Sequence, residues 1–100
     1  MKKILLVCSA GMSTSLLVTK MQQAAIEKSI EIEIFALPVA ECASVADSVD
    51  VVLLGPQVRY QKPQVDAVIK GRVPVDIIDM KDYGMMNGKA VFEMAMKLIG

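Results

Sequence analysis

The sequence lacks histidine and tryptophan, and it has only two cysteines, Cys8 and Cys42, among 100 residues. Clusters of histidine and cysteine are the usual ligands of zinc and iron, so this composition argues against such a metal centre. The two cysteines also have no metal-type spacing, and two lone thiols in a small chain favour a reducing compartment. We therefore expect a cytoplasmic protein that needs no metal or organic cofactor.

The sequence also has no excess of charge of one sign. Eleven basic and eleven acidic residues give a formal net charge of zero, whereas a generic nucleic-acid-binding protein has a basic excess. No apolar run approaches the roughly 18 residues that a membrane-spanning helix requires. Lys2 and Lys3 precede an apolar segment that breaks at Ser9, too short for a signal peptide, so we interpret them as the polar start of a strand.

Apolar residues, in contrast, are plentiful: they make up 54% of the chain, enough for the core of one domain over residues 1–100. Their periodicity changes repeatedly. Strands are predicted at 4–7, 30–37, 51–54 and 73–80, and helices at 13–28, 39–49, 63–70 and 89–100, with a loop or single turn at 81–88. Such alternation indicates an α/β fold: a single three-layer domain in which a four-stranded parallel sheet carries helices on both faces.

The loop after the first predicted strand is the most informative stretch. It begins with Cys8 and continues with small and hydroxyl residues, namely Ser9, Ala10, Gly11, Met12, Ser13, Thr14 and Ser15. Ligands of parallel sheets bind at the carboxyl ends of strands, and free N–H groups at a helix start attract anions such as phosphate. The same field stabilises a thiolate, so Cys8 is expected to be a nucleophile beside a phosphate cradle.

A simpler interpretation explains the same residues without function. A cysteine at a strand end is often a small buried hydrophobe, and Ser13 or Thr14 can be the N-cap of the following helix. From spacing alone, both interpretations stay open.

Three segments together resemble a known family: "VCSAGMSTSLLVTKM", "VVLLGPQVRY" and "DYGMMNG". They are similar, in sequence and order, to the IIB component of the bacterial sugar phosphotransferase system, lactose/cellobiose class, in its free-standing cellobiose/chitobiose-like branch. The resemblance implies a fold similar to that of low-molecular-weight tyrosine phosphatases. It also implies that Cys8 takes a phosphoryl group from a phosphohistidine on a IIA protein and passes it to sugar held by a membrane IIC permease, with residues 9–15 as the cradle.

One departure bears on the chemistry. The phosphatases use a C-x5-R loop, and Thr14 stands where that pattern has arginine. Without the arginine, charge on a transferring phosphoryl group is poorly stabilised within this chain, which suits a carrier better than a hydrolase. A phosphatase-like hydrolase, a thiol reductase that pairs Cys8 with Cys42, and a passive anion-binding module are the alternatives.

Further residues follow the other strands. Gln57, Tyr60 and Tyr83 are expected at the rim of the site as phosphate or partner contacts, and Arg59 and Lys62 are candidates to meet an acidic patch on a donor. Asp79 and Asp82 are more readily interpreted as helix caps or loop carboxylates than as a general acid. Met12, Met85 and Met86 fit an apolar rim of the site and the core equally well. Cys42 is expected to be a buried core residue. We expect a monomer, because a monomer suits a shuttling carrier.

Overall fold

A computed structural model describes the backbone of residues 1–8 and 11–100 and the side chains of residues 1–8 and 15–100. Four parallel strands form one sheet: β1 (Lys2–Cys8), β2 (Ile32–Pro38), β3 (Val51–Leu54) and β4 (Val75–Ile77). Their spatial order is β2-β1-β3-β4, so β1 lies inside the sheet and β2 at its edge, as predicted from its alternation of apolar and acidic residues. The predicted fold class is confirmed.

Helices cover both faces of this sheet. The α-helices are α1 (Gly11–Glu27), α2 (Lys62–Ile69), α3 (Met80–Gly84) and α4 (Gly88–Ile99), and two 3-10 helices span Val39–Val45 and Pro56–Gln61. Ile4 and Leu6 of β1 contribute to a core with α1 and α4, whereas Leu5 and Val7 contribute to a core with α2 and the first 3-10 helix. Because side chains alternate along a strand, burial on both faces explains the continuous apolar run in β1.

The second predicted helix is shorter and tighter than expected. In place of an α-helix over residues 39–49, the chain forms the 3-10 helix Val39–Val45 and then turns. The hydroxyls of Ser44 and Ser48 donate to the carbonyls of Glu41 and Val45, and such local bonds compete with a regular helix. The guanidinium of Arg72 donates to the carbonyls of Ala46 and Val49, which fixes the turn that leads into β3.

The fourth predicted strand is also shorter. Only Val75–Ile77 is strand. It ends early because the Asp79 side chain accepts a hydrogen bond from the Lys81 N–H at 2.8 Å and caps α3. The single turn allowed for residues 81–88 is present, but it begins earlier, at Met80. This shift brings Met80 to the carboxyl-end edge of the sheet, beside the end of β3.

Candidate active site

Cys8 is the last residue of β1 and lies at the carboxyl end of the sheet. It is paired with Pro38 of β2, and on the other side of β1 the Gly55 N–H donates to the Val7 carbonyl at 2.9 Å. Cys8 is only 3% exposed, so its position combines a strand end with near-complete burial. A reaction at this sulfur therefore requires a reactant that gains access to it.

The predicted cradle falls largely outside the described residues. Ser9 and Ala10 lie outside the described backbone, and the side chains of Gly11, Met12, Ser13 and Thr14 lie outside the described side chains. The backbone of α1 nevertheless begins at Gly11, three positions after Cys8. Ser13 and Thr14 are thus two and three residues after the first helical residue, and the prediction that one of them is the N-cap was wrong.

The start of α1 gives this edge of the sheet a favourable electrostatic character. The first N–H groups of a helix have no partner within the helix, and the aligned peptide dipoles place partial positive charge there. α1 has 17 residues and no acidic residue in its first turn. Ser15, the last residue of the predicted cradle, is exposed near that turn, and its carbonyl accepts from the Thr19 hydroxyl at 3.2 Å. An anion near Cys8 would be stabilised by this helix end.

The three predicted rim residues lie together. Gln57, Tyr60 and Tyr83 line one groove of about 470 Å³, which we call the rim groove; its lining also includes Pro56, Arg59, Met80 and Gly84. Sequence reasoning missed Met80 and Gly84, because it placed the first at a strand end and the second in a loop. An Asp followed by a possible helical turn, Asp79 before Met80, was the available signal.

Gly55 connects this groove to the strand that ends at Cys8. A Cβ placed on Gly55 would lie 3.0 Å from Gln57 Oε1, 3.4 Å from Tyr83 Cε2 and 3.7 Å from the Val7 carbonyl oxygen. The side chains of Gln57 and Tyr83 therefore pack close to the Gly55 backbone, and Gly55 is hydrogen-bonded to the residue before Cys8. The rim groove therefore lies next to Gly55, the residue whose N–H is hydrogen-bonded to the strand that ends at Cys8.

Of the aspartates and methionines that the sequence analysis considered for the site, some have structural roles and others lie at the surface. Asp79 is a helix cap, as favoured by the sequence, and the backbone carbonyl of Asp82 accepts from the Asn87 N–H at 2.9 Å. Met85 is 67% exposed, whereas Met86 packs against the core of α1 and α4. Met12 lies among the residues whose side chains are not described.

Cys42 is a core thiol, as predicted. It is 1% exposed and packs with Leu5 and Val7 on the face covered by α2, and burial raises the pKa of its thiol. Strand alternation places Cys8 on the other face of β1, with Ile4 and Leu6. Both cysteines are free, and the sheet lies between them, which counts against the thiol reductase alternative.

The described residues offer neither a metal cluster nor a membrane-spanning helix. No group of three or more cysteine, aspartate or glutamate side chains in that part of the chain is arranged to hold a metal ion. Over the same residues, no helix has the length and apolar character needed to cross a membrane.

Comparison with known families decides the affiliation. Residues 3–94 match the family described as "PTS system, Lactose/Cellobiose specific IIB subunit". The chain belongs to this IIB family. As a IIB component, it is a phosphotransferase component of a sugar-uptake system that also comprises IIA and IIC components.

Similar IIB proteins have been named for different sugars. The chain is 49% identical to the galactose-specific EIIB component of Lactococcus lactis subsp. cremoris, over 98% of this chain and 96% of that protein. It is 48% identical to the cellobiose-specific EIIB component of Lactococcus lactis subsp. lactis, with the same coverage. It is also 43% identical to the oligo-beta-mannoside-specific EIIB component of Bacillus subtilis, over 99% and 97% of the two chains.

Solved structures agree with the fold of this IIB chain. The cellobiose-specific IIB component of Borrelia burgdorferi superposes with a TM-score of 0.82 at 41% identity, over 98% of this chain and 91% of that one. The lactose-specific IIB domain of Streptococcus pneumoniae superposes with a TM-score of 0.84 at 13% identity, over 97% and 96%. At 13% identity, the second likeness bears on the fold alone.

Proposed function

We propose that residues 1–100 form one phosphoryl-carrier domain in which Cys8 is the covalent attachment point. The observation that carries the proposal is the position of Cys8 at the end of the inner strand β1, with the start of α1 three residues later. The IIB family affiliation supports the same residue, because Cys8 lies in the segment that resembles the family's first loop. Ser9, Ala10, Gly11, Met12, Ser13, Thr14 and Ser15 are the proposed phosphate-binding residues.

The proposed chemistry consists of two displacements at phosphorus. The Cys8 thiolate attacks the phosphorus of a phosphohistidine on the IIA protein; the P–S bond forms, the P–N bond breaks, and the histidine nitrogen leaves with the electron pair. A sugar hydroxyl held by the IIC permease then attacks the same phosphorus and loses its proton, while the P–S bond breaks and returns the thiolate. Loop N–H groups and hydroxyls stabilise the equatorial oxygens in both steps.

The burial of Cys8 sets a condition on this mechanism. With 3% of the residue exposed, the donor must reach the sulfur through a local change in packing when it docks. Burial also protects a thiophosphate from water between the two transfers. We therefore expect phosphoryl transfer from the docked donor to be far more effective than reaction of Cys8 with small phosphate esters.

Turnover of an aryl phosphate separates the carrier from a phosphatase. We expect the chain to hydrolyse p-nitrophenyl phosphate no faster than a Cys8→Ser variant does, because threonine occupies position 14, where the phosphatases have arginine. Among the described residues that line the rim groove, Arg59 is the only arginine. Release of nitrophenolate is followed by absorbance at micromolar concentrations of the chain. Multiple turnovers that depend on Cys8 would favour the hydrolase instead.

Similarity to relatives does not single out one sugar for this chain. Relatives between 43% and 49% identical are named for galactose, cellobiose and oligo-beta-mannosides. We propose that specificity resides in the IIC permease, which binds the sugar, and that this domain acts as a cytoplasmic monomer that associates with the membrane only through IIC.

A further inference from the structure

We propose that the rim groove is a docking site for the phosphorylated donor, and that Arg59 recognises negative charge which the donor carries at that contact. The inference rests on the proposed carrier function of Cys8. It concerns which of the two partners uses the groove, and by what chemistry.

The first observation is an unpaired cation in the groove. Within the part of the chain that the structure describes, the Arg59 guanidinium makes no ion pair or hydrogen bond. Its neighbour Lys62 differs, because Lys62 Nζ lies 3.0 Å from Asp66 Oδ2. No carboxylate is among the described residues that line the groove, so Arg59 is not neutralised there.

The second observation is the apolar surface that surrounds this cation. Tyr60 is 72% exposed and Met80 63% exposed, and both line the groove. Tyrosine, methionine and arginine are enriched at protein interfaces, where an aromatic or thioether surface supplies contact area and arginine supplies directed hydrogen bonds. The groove therefore fits a protein segment that is apolar and bears an anionic group.

The charge of the two reacting groups selects the donor. A phosphohistidine carries negative charge, whereas the reacting group of the acceptor is a neutral sugar hydroxyl. A cation in a groove next to the strand that ends at Cys8 attracts the phosphorylated donor and raises the rate of productive encounter, as charge complementarity at an interface rim does. The link through Gly55 and Val7 places the groove next to the strand that ends at Cys8.

The test measures phosphoryl transfer from purified phosphorylated IIA to the chain, by quenched flow and intact mass, over a range of donor concentrations. For Arg59→Gln we expect KM to rise about threefold to fivefold with kcat within about twofold, as expected for loss of an exposed ion pair. Arg59→Glu should raise KM further, to about tenfold or more, because attraction becomes repulsion. Added salt should raise KM for the wild type and have less effect on Arg59→Gln.

Lys97→Gln is the matched control, since it removes the same charge from α4. Lys97 lies beside Lys28 and Ile30, next to the start of β2 and thus at the other end of the sheet. Its KM for phosphorylated IIA should equal that of the wild type. Equal KM values for wild type, Arg59→Gln and Arg59→Glu would overturn the proposal, as would an equal effect of Lys97→Gln.

A third outcome would also overturn it: normal transfer from IIA to the Arg59 variants with impaired transfer onward to sugar would assign the groove to IIC. Failure of the carrier function itself has a different signature, because the wild-type chain would then accept no phosphoryl group at any donor concentration.

Discussion

Gly88→Ala is expected to destabilise the protein by roughly 3 kcal/mol, although it places the best helix-forming residue at the first position of α4. A Cβ on Gly88 would lie 2.5 Å from Lys20 Cβ, 2.6 Å from Lys20 C and 2.7 Å from the Met21 N atom. Two of these three atoms belong to the backbone of α1, so a change of side-chain rotamer does not relieve the overlap. α1 and α4 must move apart, and both contribute to the core that contains the buried Met21 and Phe92.

Gly84→Ala is the matched control, because Gly84 is also in a helix and a Cβ added to it would meet no described atom of another part of the fold within 4 Å. Alanine gains up to about 1 kcal/mol over glycine in a helix, so this variant should be as stable as the wild type or slightly more stable. Urea unfolding followed by circular dichroism gives both free energies of unfolding. A Gly88→Ala variant as stable as Gly84→Ala would show that the two helices do not pack as closely as described.

Cys8→Ser should abolish sugar phosphorylation in a system rebuilt from IIA, this chain and IIC-containing membranes, with a loss of at least about a thousandfold. Serine keeps the size of the side chain but not its chemistry: a hydroxyl at a strand end is a far weaker nucleophile than a thiolate, and no other group is proposed to carry the phosphoryl. Formation of sugar phosphate from labelled donor is the readout.

Cys42→Ala provides the comparison for that experiment. It removes the other thiol, which lies on the opposite face of the sheet among Leu5 and Val7. We expect rates within about twofold of the wild type at a temperature where the variant is folded, with a modest loss of stability from the smaller side chain. A loss of activity similar to that of Cys8→Ser would instead support a two-cysteine mechanism.

The strands that have a clear apolar pattern could be predicted from the sequence, whereas the end of β4, which one capping side chain determines, could not. β1 and β3 were predictable because continuous apolar runs of strand length are typical of strands buried on both faces, and all four residues of Val51–Leu54 are buried. The edge position of β2 followed from its alternating acidic residues. The end of β4 was not predictable from hydropathy, because a single capping carboxylate, Asp79, converts apolar residues such as Met80 from strand to helix.

The candidate site was likewise predictable from the sequence only in part. Local sequence led to the prediction that Cys8 is the nucleophile, which stays a proposal, since small residues and hydroxyls after a strand are typical of an anion-binding loop. The rim groove was indicated only residue by residue: Gln57 and Tyr60 come from the chain after β3, and Met80 and Tyr83 from α3. Their proximity depends on the order of strands in the sheet, which determines which loops are neighbours, and the close packing of Tyr83 on Gly55 is a tertiary contact.

The most direct test of phosphoryl carriage is the intact mass of the chain after incubation with phosphorylated IIA, with the modified residue mapped by peptide fragmentation. We predict that the wild type and Cys42→Ala gain the mass of one phosphoryl group on Cys8 and retain it in the absence of IIC and sugar. Cys8→Ser should gain none. A phosphoryl group on any other residue, or no gain in the wild type, would contradict the claim that Cys8 carries the group.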